Sequence, residues 1–166
     1  MKKILFTGLI VFAALFTGQA QISQGTILVG AGSNFGFTNV SPDGGDSFSE
    51  FDLHGKVGYF FIENVVGGLK LDYAKIDDTS KIGFGIFGRY YLNNTIILGA
   101  SLGTYKEDYG ETDASATVLG IEGGYAAFIT DNIAIEPTLN IDLLSGDLDA
   151  TRFGLNVGFS FYLGSE

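Results

Sequence analysis

The stretch Arg152–Leu163 constrains the fold more than any other part of the chain. It reads RFGLNVGFSFYL, so large apolar side chains alternate with small or polar ones along its whole length. A period of two predicts a β-strand with one apolar face and one polar face. The same alternation recurs through the chain after residue 25, which predicts an all-β protein built from strands of this kind.

The volume of the apolar side chains decides which face of these strands points inward. An eight-stranded barrel has an interior only just wide enough for its own side chains. Gly, Ser, Asn and a few charged residues fit into that space, whereas the many Leu, Ile, Phe and Tyr side chains do not. The apolar face therefore points outward into lipid. In lipid, β-strands satisfy the hydrogen bonds of every backbone group only when they close into a barrel. The predicted fold is an eight-stranded antiparallel up-and-down transmembrane β-barrel.

The junctions between the predicted strands alternate between two kinds. Short turns with Asn are expected at Glu63-Asn64, Asn93-Asn94 and Thr130-Asp131-Asn132, whereas the other junctions are mostly longer and acidic. Outer-membrane barrels have short periplasmic turns and longer outer loops, so both chain ends are expected in the periplasm. The strands are predicted at 26–38, 50–62, 65–75, 81–92, 95–106, 115–129, 133–144 and 152–163. Acidic loops are expected at 39–49 and 107–114, and shorter loops at 76–80 and 145–149.

Residues 1–20 have the pattern of a secretory signal peptide, which leaves residues 21–166 as one barrel domain. Lys2 and Lys3 precede the apolar run Ile4–Phe16, and small residues lead to a predicted cleavage after Ala20. The absence of Cys excludes a lipoprotein anchor and disulfides. Seven of the nine basic residues and all 19 acidic ones follow residue 20, a formal net charge of −12, which argues against nucleic-acid binding.

Charged and polar side chains fall on the inward face of several predicted strands. Buried charges are expected to be paired, so we expect an ion-pair network that fills the lumen. Toward the short turns, apolar residues also point inward and are expected to close the pore: Phe60, Ile62, Val66, Ile97 and Phe128. The predicted lumen network consists of Asp52, His54, Lys56, Lys70, Asp72, Arg89, Glu122, Glu136, Asp142 and Arg152.

Enzymatic and metal-binding alternatives find little support in the sequence. His54 is the only His, and nothing ties it to the inward residues Ser101 or Ser160 as an activated nucleophile, so we expect no enzyme. The acidic loops are expected to form a solvated, hydrophilic cap. Binding of divalent cations by their carboxylates is the alternative, although Ser41–Asp46 lacks the spacing of a calcium-binding loop. No cofactor or metal site is therefore expected.

Pro137 falls within the seventh predicted strand and cannot donate a ladder hydrogen bond. An open ladder position is costly in lipid. A bulge or a break in strand pairing is therefore expected there.

The Asn turns and the closing strand resemble those of the small eight-stranded outer-membrane barrels of the OmpA/OmpX type, over about residues 26–163. In that family the last strand is an assembly signal for the outer-membrane insertion machinery, which implies such a role for Phe159, Phe161, Tyr162 and Leu163. The resemblance also implies periplasmic chaperones, outer-membrane lipids and lipopolysaccharide as partners, in the outer membrane of a Gram-negative bacterium. A ligand of the outer loops is not identified by the sequence.

The sequence therefore favours a structural or surface-interaction barrel with a filled lumen, acidic extracellular loops and no open pore. A small channel or carrier for small or apolar solutes is the alternative, because the same barrel wall can serve several functions.

Overall fold

The computed structural model describes residues 22–33, 38–42, 48–50, 53–76, 79–108, 113–147 and 149–164. Strands account for nearly all of them, and no helix among these residues is long and apolar enough to cross a membrane. The strand segments are β1 (Ile27–Ser33), β2 (Thr38–Pro42), β3 (Phe48–Glu50), β4 (Leu53–Ile62), β5 (Val65–Ile76), β6 (Thr79–Leu92), β7 (Ile96–Asp108), β8 (Asp113–Tyr125), β9 (Ala127–Thr130), β10 (Ile133–Gly146) and β11 (Ala150–Leu163).

These segments form eight barrel strands. Both β1 and β2 pair with β11, the β2–β3 pair lies beyond the β1–β4 pair, and β8 and β9 both pair with β10. Each barrel strand is antiparallel to its neighbours in the chain, and β1 joins β11 to close the sheet. The prediction of an eight-stranded up-and-down β-barrel is confirmed.

The side chains alternate between the two faces of the wall as the period of two predicts. Along β11, Phe153 and Phe159 are exposed on the outside, whereas Arg152, Gly154 and Ser160 are buried inside. The apolar side chain of Leu69 on β5 is 67% exposed, which is favourable in lipid and unfavourable in water. The outer surface is apolar around the barrel, with exposed Val57, Tyr59, Leu71, Phe84, Ile86, Tyr90, Leu98, Leu102, Leu119, Ile121, Leu139, Leu143, Phe153 and Phe161.

The predicted Asn turns lie together at one end of the barrel, which we call the turn end. Asn64, Asn93 and Asn94 have positive φ angles of 64°, 53° and 61°. Two consecutive residues with positive φ make a type I′ turn, whose twist matches the strands of a tight hairpin. The start of β1 at Ile27 and the end of β11 at Leu163 also lie at the turn end; the opposite end is called the loop end.

The strands reach farther toward the loop end than the sequence predicted. β2 and β3 occupy part of the predicted loop 39–49, and β7 and β8 pair as far as Asp108 and Asp113. Polar residues at these strand ends interrupt the alternation of apolar and polar side chains, so the sequence pattern ends early. The backbone hydrogen bonds between neighbouring strands do not depend on that alternation and continue farther. Among the predicted site residues, Asp52 lies outside the described residues, as do the predicted signal segment 1–20 and the acidic loop residues Asp43, Asp46, Asp77, Asp78 and Glu111.

The prediction that the Ile62 side chain points into the lumen is wrong. Pairing between β4 and β5 shifts between Phe60 and Ile62, because a bulge adds one residue to β4. The bulge places both Phe61 and Ile62 on the outside, 57% and 59% exposed. The other four predicted residues of the closure, Phe60, Val66, Ile97 and Phe128, are buried inside.

Pro137 lies at a break in strand pairing, as predicted. β10 pairs with β8 from Thr138 onward and with β9 up to Ile135, so that ladder is interrupted opposite Pro137. Its pairing with Val157 of β11 on the other side is continuous. Ala126 stands between β8 and β9, and its N–H donates to the Thr95 carbonyl at 2.6 Å, on the side of the strand that faces β7.

A charge on the outer wall should distinguish lipid from water as the surroundings. Leu69→Arg should lower the free energy of unfolding in phospholipid vesicles by about 2–4 kcal/mol, the cost of Arg near the bilayer midplane. Thr151→Arg, at the loop end of β11, should cost no more than about 1 kcal/mol. Reversible denaturant titration of both variants measures this, and equal small losses would contradict a lipid-facing wall.

Candidate functional site

The interior of the barrel holds a buried cluster of one guanidinium and two carboxylates. Arg89 on β6 donates from Nε and Nη2 to both carboxylate oxygens of Glu122 on β8, at 2.5 and 2.7 Å. Its Nη1 donates to Glu136 Oε2 on β10 at 2.7 Å. The side chains of Arg89 and Glu136 are each only 1% exposed. The cluster therefore links three strands across the lumen, and the planar guanidinium suits this fork geometry.

Glu136 is the hub of the cluster because each of its oxygens has a donor. The Tyr162 hydroxyl of β11 donates to Glu136 Oε1 at 2.7 Å. Lys56 Nζ of β4 lies 3.7 Å from Glu136 Oε2 as an ion pair. Arg89 also donates to the Tyr91 hydroxyl at 3.4 Å. A carboxylate without these partners would be too costly to bury at this depth.

Gly99 leaves the space in which the Arg89–Glu122 pair forms. It stands between the two in the ladder, paired with Arg89 on one side and with Glu122 on the other. A Cβ at Gly99 would lie 2.7 Å from Glu122 Cγ and 3.1 Å from Arg89 Cγ. The absence of a side chain on β7 thus lets the long side chains of β6 and β8 meet above it.

A second group of charges lies nearer the loop end, on β4 and β5. His54 Nδ1 and Asp72 Oδ1 are 2.8 Å apart, and Lys70 Nζ lies 3.4 Å from Asp72 Oδ2. Lys56 and Lys70 are direct cross-strand neighbours, a like-charge pair that is unfavourable by itself. The ion pairs of Lys56 with Glu136 and of Lys70 with Asp72 offset this repulsion.

The facing wall carries a chain of polar contacts between β10 and β11. Asn156 donates through Nδ2 to Asn140 Oδ1 at 2.8 Å, and Asn140 donates in turn to Asp142 Oδ2 at 3.1 Å. Arg152 is the ladder neighbour of Asp142, and its guanidinium lies 4.5 Å from the centre of the Tyr105 ring. A cation above an aromatic face is held by the ring quadrupole.

Below the charges, toward the turn end, a cluster of buried apolar side chains lies in the lumen. The Tyr162 ring is at its centre, with ring-centroid distances of 5.0 Å to Phe128, 6.1 Å to Phe60 and 6.2 Å to Tyr91. We call this cluster the apolar plug: Leu28, Phe60, Val66, Phe87, Tyr91, Ile97, Ala126, Phe128, Ala134 and Tyr162.

A polar cavity of about 110 Å³ remains among the charges, above the apolar plug. Its walls include Lys56, Lys70, Asp142 and Arg152. His54 Nε2 and Asn156 Oδ1, two buried atoms of wall residues, have no hydrogen-bond partner within the described part of the chain. A polar space of this size suits several water molecules that hydrogen-bond to these groups.

The structure separates the predicted network into groups. Arg89, Glu122, Glu136 and Lys56 form one cluster, while His54, Lys70 and Asp72 form a second. Asp142 and Arg152 line the facing wall. Of the residues proposed as an assembly signal, Phe159, Phe161 and Leu163 are exposed outside, whereas Tyr162 points into the lumen.

The interior offers little to bind a metal ion or to activate a nucleophile. Within the described ranges, no group of three or more His, Asp or Glu side chains could hold a metal. His54 Nε2 has no hydrogen-bond partner among the residues that the structure describes, so none of their serines is positioned against it. A His–Asp pair activates a nucleophile only when that nucleophile lies within hydrogen-bond reach of the imidazole.

The sequence did not identify two contributors to the cluster, Tyr91 and Tyr162. Alternation along β6 puts Tyr91 on the same face as Arg89, so the period of two is sufficient to place its side chain inside. Its contact with Arg89, and the contact of Tyr162 with Glu136, depend on the relative shift of distant strands. No local pattern signals such a contact.

Comparisons with known proteins show a shared fold at low sequence identity. No family model and no curated protein matches the chain. Neisserial surface protein A is similar with a TM-score of 0.65 and 18% identity, over 83% of this chain and 99% of that one. The N-terminal β-barrel domain of Pseudomonas aeruginosa OprF has a TM-score of 0.55 and 16% identity, over 83% and 98%.

A third solved structure adds a bound molecule. It is Ail, the attachment invasion locus protein of Yersinia pestis, in complex with the heparin analogue sucrose octasulfate. Its TM-score is 0.52 at 18% identity, over 83% of this chain and 99% of that one. The chain therefore has the fold of the small eight-stranded outer-membrane barrels.

Filling the space at Gly99 should disturb the buried ion pair. Gly99→Ala should lower the free energy of unfolding by about 1–3 kcal/mol, because Glu122 must give way to the new methyl group. Gly88→Ala is the matched control: it is on the outer face of β6, where a Cβ meets only the Val66 carbonyl at 3.9 Å. Denaturant titration in vesicles measures both, and an equal response would refute this role for Gly99.

Removal of the guanidinium alone should cost more than removal of the whole cluster. Arg89→Met should lower the free energy of unfolding by about 3–5 kcal/mol, since two carboxylates then lack their cation. The triple variant Arg89→Met/Glu122→Gln/Glu136→Gln should recover much of that loss. If the triple variant is less stable than the single one in the same titration, the carboxylates do not depend on Arg89.

Proposed function

We propose that this chain, which has the fold of the small eight-stranded outer-membrane barrels, is an integral outer-membrane protein with a structural or surface-interaction role and no open pore. The filled lumen carries the proposal: the Arg89 cluster and the apolar plug occupy successive layers of the barrel interior. A barrel filled in this way offers its wall and its loops for function rather than a passage.

The outer surface supports a membrane location. Exposed apolar side chains surround the barrel, and a water-soluble protein rarely exposes a continuous apolar surface of that extent. The short turns, the start of β1 and the end of β11 share the turn end, which in outer-membrane barrels is the periplasmic end. We therefore place the N- and C-termini in the periplasm of a Gram-negative bacterium and the loop end outside the cell.

The closed lumen follows from two barriers in series. Phe60, Val66 and Ile97 are completely buried in the apolar plug, so an ion moving toward the turn end loses its hydration without compensation. Above the plug, Arg89 holds Glu122 and Glu136 across the axis at 2.5–2.7 Å. Passage would require both barriers to open together.

The charge of the chain points to the kind of surface partner. Ail was solved with a heparin analogue, a polyanion. This chain carries 19 acidic and nine basic residues, and the loops predicted at the outer end are acidic. Like charges repel, so we propose cationic partners or counter-ions for the loops rather than polyanions.

The closing strand supports a role in assembly. Phe159, Phe161 and Leu163 present an exposed apolar row on β11, which suits recognition by the insertion machinery before the barrel closes against β1. Periplasmic chaperones would protect the same row in transit. Tyr162 points inward and would contribute to the assembled lumen instead.

The cavity among the charges favours the alternative function, a small channel or carrier. Its volume of about 110 Å³ and its charged walls suit water or small polar solutes more than apolar ones. Catalysis is not proposed, because His54 Nε2 faces no nucleophile.

Conductance across planar bilayers tests the closed lumen. The wild-type protein should give no single-channel steps above background, since the apolar plug blocks ions. Tyr91→Ala/Tyr162→Ala should give steps, because both side chains lie in the plug. Tyr90→Ala is the matched control. Tyr90 is the outward-facing neighbour of Tyr91 and is 45% exposed, so this variant should give no conductance steps. Steps from the wild-type protein would favour the channel.

A further inference from the structure

The chain before the first strand folds back into the barrel at the turn end. Ser23–Thr26 make a tight turn, with the Thr26 N–H donating to the Ser23 carbonyl at 3.3 Å and the two hydroxyls 3.4 Å apart. Gly25 has φ of +93°, a conformation that L side chains rarely adopt. The turn reverses the chain direction just ahead of Ile27.

Backbone hydrogen bonds fix this turn to the wall. The Gly25 N–H donates to the Phe60 carbonyl at 3.0 Å, and the Phe60 N–H donates to the Thr26 carbonyl at 2.9 Å. Phe60 is also the residue at which β4 bulges. Thr26 is completely buried, so the segment is held in place rather than lying loosely on the surface.

Ile22 lies inside the mouth of the barrel as a result. Its side chain is only 2% exposed and belongs to the same buried cluster as Leu28, Phe60 and Tyr162. Gln24, in the same turn, is exposed. A single apolar side chain is therefore inserted among the plug residues, while its polar neighbour stays in solvent.

We infer that the segment 22–26 is an intramolecular stopper that seals the turn-end mouth, with Ile22 as the side chain that occupies an apolar socket made by the plug. The socket is built by several strands, but its occupant comes from a short segment outside the barrel wall. An apolar side chain in this place excludes water from the plug residues behind it. This inference rests on the proposed closed lumen.

Thiol reactivity tests the stopper directly, because the chain has no natural Cys. Ala134→Cys places a thiol in the plug, at a site with 0% exposure. The rate of its reaction with a small charged methanethiosulfonate reagent is measured on membrane-purified protein in detergent. Ile22→Asp should raise that rate by on the order of tenfold, since the opened mouth exposes a site that is otherwise protected.

Matched controls separate loss of the seal from loss of the fold. Gln24→Asp adds the same charge to the exposed part of the turn and should leave the rate unchanged; Ile22→Leu should also keep the mouth sealed. Ser101→Cys, on the lumen wall of the cavity, should react at the same rate with or without Ile22→Asp. Heat-modified migration on gels verifies that each variant is folded.

The outcomes distinguish the two proposals. If Ala134→Cys reacts fast in the otherwise unchanged chain, the closed lumen itself fails. If it reacts slowly there and equally slowly with Ile22→Asp, the lumen is closed by the strand residues alone and the stopper is overturned. A parallel rise at Ser101→Cys would indicate general loosening of the barrel and would also overturn the stopper.

Discussion

The narrow interior of an eight-stranded barrel is the constraint on which the rest of this structure depends. Large apolar side chains do not fit inside in the numbers this chain carries, so they cover the outside and require lipid. The strands must then close on one another, because an open edge in lipid leaves backbone groups without partners. The pairing of β1 with β11 meets that requirement, and β10 keeps its pairing with β11 through Pro137 although its other ladder is interrupted there.

The same narrowness makes the lumen charges interdependent. Arg89 reaches two carboxylates from opposite sides, and Glu136 accepts from Arg89 and Tyr162 while Lys56 stands close by. Gly99 has no side chain, and this leaves room for Glu122, because a Cβ at position 99 would occupy the space of the Glu122 side chain. Buried charge is costly, and only a cluster with nearly every oxygen and N–H engaged is tolerable. The contacts that stabilise these charges are thus the same ones on which the proposed closed lumen depends.

Sequence reasoning was accurate where it relied on alternation and failed where the alternation changed phase. Phe60, Val66, Ile97 and Phe128 are inside as predicted, but Ile62 is outside because one bulge residue reverses the order of faces. The strand ends near the loops were underestimated for a related reason: polar residues there hide the pattern. Ile22 was not anticipated at all, since it precedes the first strand and carries no periodic signal.

The sequence by itself determined the period of two, the outward apolar face and the Asn turns, because each depends on neighbours along the chain. Only the tertiary structure decided which charges meet. Arg89, Glu122 and Glu136 are far apart in sequence, and their contact is fixed by the relative shift of strands around the closed barrel. That shift is a property of the whole ladder, since every strand pair contributes to it, and no single segment encodes it.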